Sequence, residues 1–151
     1  MNTPTTYPAL SAYITVKKAA KAIEFYKAAF DAKELFRLTM GGPDCIAHAE
    51  LSIRDTLIML SEEFPGMSKS PQTLGGSPVT FCLIVDNADA AFAQAVAAGA
   101  AVLRAVADQF YGFRSGCVTD PFGHIWMIQH QTETLTPQQM QERMSAMPEG
   151  C

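Results

Sequence analysis

Apolar and polar positions alternate along Ala12-Tyr13-Ile14-Thr15-Val16, with Ala12, Ile14 and Val16 on one face and Ser11, Tyr13 and Thr15 on the other. A period of two in β-branched and aromatic residues predicts a strand. From Ala19 the period lengthens. Ala19, Ala22, Ile23, Tyr26 and Phe30 fall on one helical face, while Lys17, Lys18, Lys21, Glu24 and Lys27 mostly take the wet side. Asp31, which tolerates a left-handed turn less well than glycine, sits where that helix must end. Three further strands are predicted near 33–39, 45–53 and 56–61, separated by Gly41-Gly42-Pro43-Asp44 and by the tight turn Arg54-Asp55.

The same order then returns. A shift of 69 carries Ala12–Val16 onto Phe81–Val85 and Ala22-Ile23 onto Ala91-Phe92; a shift of 68 carries Ile58–Leu60 onto Trp126–Ile128. Such a repeat decides the fold before any local reading does. Ala88, Ala91, Phe92, Ala95 and Val96 form the second helical face, and Gly99 stops that helix. Strands follow near 101–107, 113–119 and 124–130, with Asp120-Pro121-Phe122-Gly123 as the last turn. Each half therefore reads βαβββ. The fold class expected is α+β: tandem βαβββ modules forming curved mixed sheets around a shared cleft, plus a C-terminal helix. The modules span 1–61 and 79–131, joined by 62–78 and followed by a tail over 132–151. The joining segment carries three Gly, three Pro and three Ser, which marks a linker able to act as a lid. In the tail, Thr136-Pro137-Gln138-Gln139 fits a capping box with proline at the first helical position, and Met140, Met144 and Met147 form a stripe suited to docking on this domain or on a partner subunit.

Strand alternation also sorts side chains toward or away from the cleft. Phe81, Leu83 and Val85 go under the second helix, leaving Thr80, Cys82 and Ile84 opposite. Ala47, Ala49, Leu51 and Ile53 share one face; His48, Glu50 and Ser52 share the other. Matching Met59 with Met127 and His48 with Gly116 puts Arg114, two before Gly116, on the inward side. The expected wall is Tyr13, His48, Glu50, Met59, Thr80, Cys82, Arg114, Met127 and Gln129, mostly apolar with few polar groups, as small-molecule sites are. Phe110 and Tyr111 precede the Arg114 strand, where an aromatic can stack on a planar ligand. Trp126 is expected in the core.

Composition narrows the classes. The chain has 151 residues, 48% hydrophobic and 17% charged, which suits a packed domain and excludes global disorder. A net charge of −4 argues against a nucleic-acid partner. No apolar run nears the ~18 residues of a membrane span, and Met1–Pro8 lacks the order of a signal peptide, so a cytoplasmic location is expected. Cys45, Cys82, Cys117 and Cys151 contain no CxxC pair, so zinc-ribbon and thioredoxin readings fail and reduced thiols are expected.

At Tyr13-Ile-Thr-Val16, Ala22-Ile-Glu-Phe-Tyr-Lys27, His48-Ala-Glu-Leu51, Asp108-Gln-Phe-Tyr-Gly112 and Asp120-Pro-Phe-Gly-His-Ile-Trp126 the sequence resembles the glyoxalase / bleomycin-resistance / extradiol-dioxygenase family, the vicinal oxygen chelate superfamily, over about residues 8–130. The resemblance implies the fold above and a homodimer. It also implies, for the metalloenzymes of the family, ligand positions at Ser11, Met59, Thr80 and Met127. None is His, Glu or Gln, so no metal and no other cofactor is expected. Phe113 stands where relatives often carry Asp. Two functions follow. One is a binding protein for a small organic ligand, as in relatives that sequester cationic antibiotics. The other is an enzyme of lyase or isomerase type, with His48 and Glu50 as acid–base pair or with displaced metal ligands. Arg114, if free rather than paired with Glu50 or Asp120, favours a carboxylate or phosphate on the ligand.

Overall fold

The computed structural model describes Pro4 and residues 6–148; Cys151 and the outermost residues of both the N-terminal segment and the tail lie outside them. The first module runs β1 (Ala12–Val16), α1 (Ala19–Phe30), β2 (Lys33–Thr39), β3 (Ile46–Ile53) and β4 (Thr56–Glu62). After a four-residue helix, α2 (Pro71–Leu74), the second runs β5 (Thr80–Ile84), α3 (Ala88–Ala98), β6 (Ala101–Asp108), β7 (Phe113–Thr119) and β8 (Ile125–Gln131). The tail forms α4 (Pro137–Ser145). Each module makes one mixed four-stranded sheet, ordered β1-β4-β3-β2 and β5-β8-β7-β6. The first pair in each order is parallel and the other two are antiparallel.

Local chemistry fixes the element ends. Asp31 takes the left-handed conformation at φ 55, and its N–H returns to Tyr26 O to close α1. Arg54 does likewise at φ 53 in the turn between β3 and β4. The box at Thr136 and Gln139 caps α4. The N-termini of the two long helices are held by residues at the ends of distant strands. At α1 the Glu62 carboxylate accepts from Lys18 N at 2.7 Å and Ala19 N at 2.8 Å. At α3 the His130 Nδ1 accepts from Ala88 N at 2.9 Å. Glu62 and His130 are equivalent under the 68-residue shift, so one capping task is met by a carboxylate in one half and an imidazole in the other.

One core serves both halves. Ile14, Val16, Leu51 and Leu60 of the first sheet are buried in the same cluster as Val118, Trp126 and Ile128 of the second. The modules meet chiefly through α1 packed on α3. Phe30 lies 4.5 Å and Tyr26 5.6 Å, ring centre to ring centre, from Trp126. The linker is folded down rather than free: Pro71 is buried, Gln72 Nε2 donates to Pro121 O at 3.2 Å, and Glu63 accepts from Ser70 N and Thr73 Oγ1. Gly123, at φ 94, lets Pro71 approach so closely that a Cβ there would sit 2.7 Å from Pro71 Cβ. Of the Met stripe, Met140 is half-buried, while Met144, 52% exposed, and Met147 just beyond α4, 50% exposed, stay open. An ion pair from Arg143 to Glu133 ties that helix to the domain.

Candidate functional site

Because both sheets turn their helix-bearing faces to the common core, their other faces look outward. On the first sheet, Tyr13, Met59 and Glu50 stand in register across β1, β4 and β3, and His48 lies two residues from Glu50 on the same side. The Tyr13 hydroxyl is 2.9 Å from His48 Nδ1, and His48 Nε2 is 3.1 Å from Glu50 Oε1. Tyr7, from the segment before β1, donates to the same Oε1 at 3.3 Å. Desolvation, with the Glu50 charge adding to it, raises the Tyr7 hydroxyl above its ordinary pKa of 10, which keeps it a donor. Glu50 is 3% exposed, and its Oε2 is buried with no partner among the described residues. An ionised carboxylate only accepts, so its partner at His48 Nε2 is an N–H, and in the uncharged ring Nδ1 is then the acceptor for the Tyr13 hydroxyl. The result is a chain of proton carriers whose outer end is Tyr13, 53% exposed.

On the second sheet, Cys82, Met127 and Cys117 are register neighbours across β5, β8 and β7. Gln129, paired with Ser115 and Ile84, donates from Nε2 to Cys82 Sγ at 3.2 Å, while its Oε1 is buried without a partner among the described residues. Thr80 is exposed at the start of β5, and Tyr111 packs its ring 5.9 Å from that of Phe113. The expected wall is thus brought together as two clusters. Tyr13, His48, Glu50 and Met59 form one; Cys82, Met127 and Gln129 form the other. No hydrogen bond or ring contact joins the clusters among the described residues.

Arg114 belongs to neither. Its guanidinium donates to Asp89 at 2.7 and 2.9 Å and to Asp108 at 3.1 Å, so it is paired with two carboxylates at the start of α3 and the end of β6. Those bonds hold its own pKa up and depress that of Asp89. It lies on the helix side with Gly116, where a Cβ would meet Phe92 of α3 at 2.8 Å. The physical reason is register. Glu50 pairs with Met59 and Cys117 pairs with Met127, so the counterpart of Glu50 is Cys117, and matching His48 to Gly116 is wrong by one residue. A slip of one turns every side chain of a strand to the opposite face. The guanidinium that does stand on the outer face is Arg104 of β6, which sequence reasoning missed. It donates to Ser115 O at 3.2 Å, Ser115 Oγ at 3.1 Å and Cys117 Sγ at 3.5 Å.

The family resemblance puts the metal-ligand positions at Ser11, Met59, Thr80 and Met127. Ser11 Oγ is buried and without a partner among the described residues, but two hydroxyls and two thioethers do not suit a hard or borderline dication. Among the described residues no three His, Cys, Asp or Glu side chains cluster as a ligand set.

Comparison with known proteins follows the same lines. The family model described as Glyoxalase/Bleomycin resistance protein/Dioxygenase superfamily matches residues 9–128. The uncharacterized protein Mb0911c of Mycobacterium bovis is 43% identical over 148 residues, covering 95% of this chain and 96% of the relative. The crystal structure of the Arabidopsis thaliana At5g48480 product is 32% identical, with a TM-score of 0.66 over 82% of this chain and 98% of its own. TioX from Micromonospora sp. ML1 shares the fold at 21% identity, with a TM-score of 0.66 over 83% of this chain and 99% of its own.

Proposed function

We propose that this chain, which belongs to the glyoxalase/bleomycin resistance protein/dioxygenase superfamily, holds a small organic ligand between two copies of itself. In this reading the outer face of the first sheet of one copy closes over the outer face of the second sheet of the other. What supports it is the division of the site residues between two outward faces of one core. A two-fold pairing of unlike faces makes two equivalent clefts. Both faces carry apolar groups left open to water, Tyr13 at 53% and Leu38 at 55% on the first and Ile84 at 53% on the second. Each also carries a buried polar atom without a partner among the described residues, Glu50 Oε2 on the first and Gln129 Oε1 on the second, which a ligand between the faces would satisfy. Met59 and Met127 supply an adaptable apolar floor where metal-dependent relatives would have ligands, so the ligand is held without a metal.

The Tyr13–His48–Glu50 chain favours a second reading, metal-free acid–base catalysis. Tyr13 would give or take the proton at its hydroxyl, His48 would move it at Nδ1, and Glu50 would hold the ring. Light scattering and elemental analysis of protein purified without chelator test the main reading. The expected result is a homodimer with well under one zinc, nickel, manganese or iron per chain. A monomer at high micromolar concentration, or stoichiometric metal that activates turnover, overturns it.

A further inference from the structure

We infer that the outer face of the second sheet carries an anion subsite centred on Arg104, so that the ligand of this cleft bears a carboxylate or phosphate group. The inference deepens the cleft reading above and rests on it for the ligand's position. Of the five arginines, Arg37, Arg54, Arg114 and Arg143 each have a carboxylate within 4.0 Å; among the described residues Arg104 has none. Its three bonds go to neutral acceptors on its own sheet, Ser115 O, Ser115 Oγ and Cys117 Sγ. They fix the plane of the guanidinium without neutralising it, and no described group accepts from its Nε–H. A preoriented, unneutralised fork is what two-point recognition of a carboxylate or phosphate needs.

The neighbouring row completes the site. Ser115, fully buried beneath Arg104, is the register partner of Gln129. Gln129 is 7% exposed, and its Oε1 has no partner among the described residues. A buried amide end with an open bond is unfinished unless something else docks there. As it stands, Oε1 takes a hydroxyl or amine donor beside the anion. Turned by half a rotation, the amide accepts the Cys82 S–H and offers its NH2 to the anion. Met127 and Phe113, on the same face, receive the apolar body of the ligand. The net charge of −4 does not oppose this, because spread charge is screened beyond about 8 Å at physiological salt while the guanidinium acts in contact.

The test is a thermal-shift and calorimetric panel on the full chain with succinate, inorganic phosphate, glycerol phosphate and butylamine. Wild type is compared with Arg104→Gln, which can keep the bond to Ser115, and with Arg114→Ala. Succinate and the two phosphates separate carboxylate from phosphate preference. Expected is stabilisation of wild type by at least one anion, weakened about 10- to 100-fold in Arg104→Gln and retained in Arg114→Ala. Circular dichroism of Arg104→Gln confirms that the fold is kept, and Gln129→Leu gives a second, independent loss at the same face. Anion binding that survives both Arg104→Gln and Gln129→Leu overturns the subsite, as does a panel in which only butylamine binds or nothing binds. A dimer that binds only butylamine overturns the subsite and leaves the cleft reading standing. A monomer that binds anions through Arg104 does the reverse.

Discussion

Tyr26 donates a 2.7 Å hydrogen bond to Asp120 Oδ2 across 94 residues of chain, joining α1 of the first module to the β7–β8 turn of the second. The same carboxylate accepts from Trp126 Nε1 at 2.9 Å, Phe122 N at 2.9 Å and His124 N at 3.0 Å, and it is 4% exposed. Four donors satisfy one buried acid, so removing it strands all four. Asp120→Ala is expected to cost at least about 3 kcal/mol of unfolding free energy and Tyr26→Phe about 1–2 kcal/mol. Urea melts check both, and equal small losses would count against the arrangement. Burial, with the Asp120 charge adding to it, holds the Tyr26 hydroxyl well above its ordinary pKa of 10. The folded state thus keeps this proton more tightly than the unfolded chain. The stability is complete below pH 10 and drains away as pH rises beyond it, a loss that Tyr26→Phe should reduce.

The acid limb has a separate source. The Arg37 guanidinium, and after it Lys27, hold Glu34 at a pKa of about 2 against an ordinary 4.5. A depressed folded pKa gives stability that is present above 4.5 and is lost as pH falls toward 2. The shift caps the effect at about 3 kcal/mol, and solvent at the partly exposed pair reduces the expected value to about 1–2 kcal/mol. Denaturant midpoints of Glu34→Gln measured from pH 5 to 2 should fall less steeply than those of wild type. Parallel curves would show that Glu34 is not the group responsible.

Gly116 reports which side of β7 faces α3. A methyl added there would lie 2.8 Å from Phe92 and from Val106, so Gly116→Ala overpacks the helix side and should cost about 1–3 kcal/mol. If the residue faced a solvent-filled hollow instead, the substitution would be nearly neutral in a thermal melt.

The order of protons along Tyr13, His48 and Glu50 is directly observable. Nitrogen-detected NMR should find the uncharged form of the His48 ring protonated at Nε2, with Nδ1 as acceptor. A ring carrying its proton on Nδ1 would break the chain and remove the basis for the acid–base reading.

Much of this architecture is legible in sequence because it is written locally. The two-residue period of β1, the left-handed Asp31, the turn at Arg54 and the box at Thr136 each follow from neighbours in the chain. The site was harder to read for three reasons. The β7–β8 turn puts five residues between Thr119 and Ile125, whereas two separate Ile53 and Thr56, and this offset flips Arg114 out of the wall. In β6, alternation with Val102 and Val106 would have put Arg104 on the helix side, and register shifts on both sides of it turn it to the outer face instead. The pairing of α1 with α3, which turns the two half-walls outward, has no local signature at all.

Two half-walls on opposite ends of one chain also have a genetic consequence. In a homodimer of the proposed kind, each cleft takes its first-sheet face from one subunit and its second-sheet face from the other. A chain disabled at Tyr13 and a chain disabled at Gln129 would each be inert alone. Mixed in equal amounts and allowed to exchange, they would form hybrids in which one cleft gathers both lesions and the other none, restoring about a quarter of the clefts. Two broken copies would complement each other.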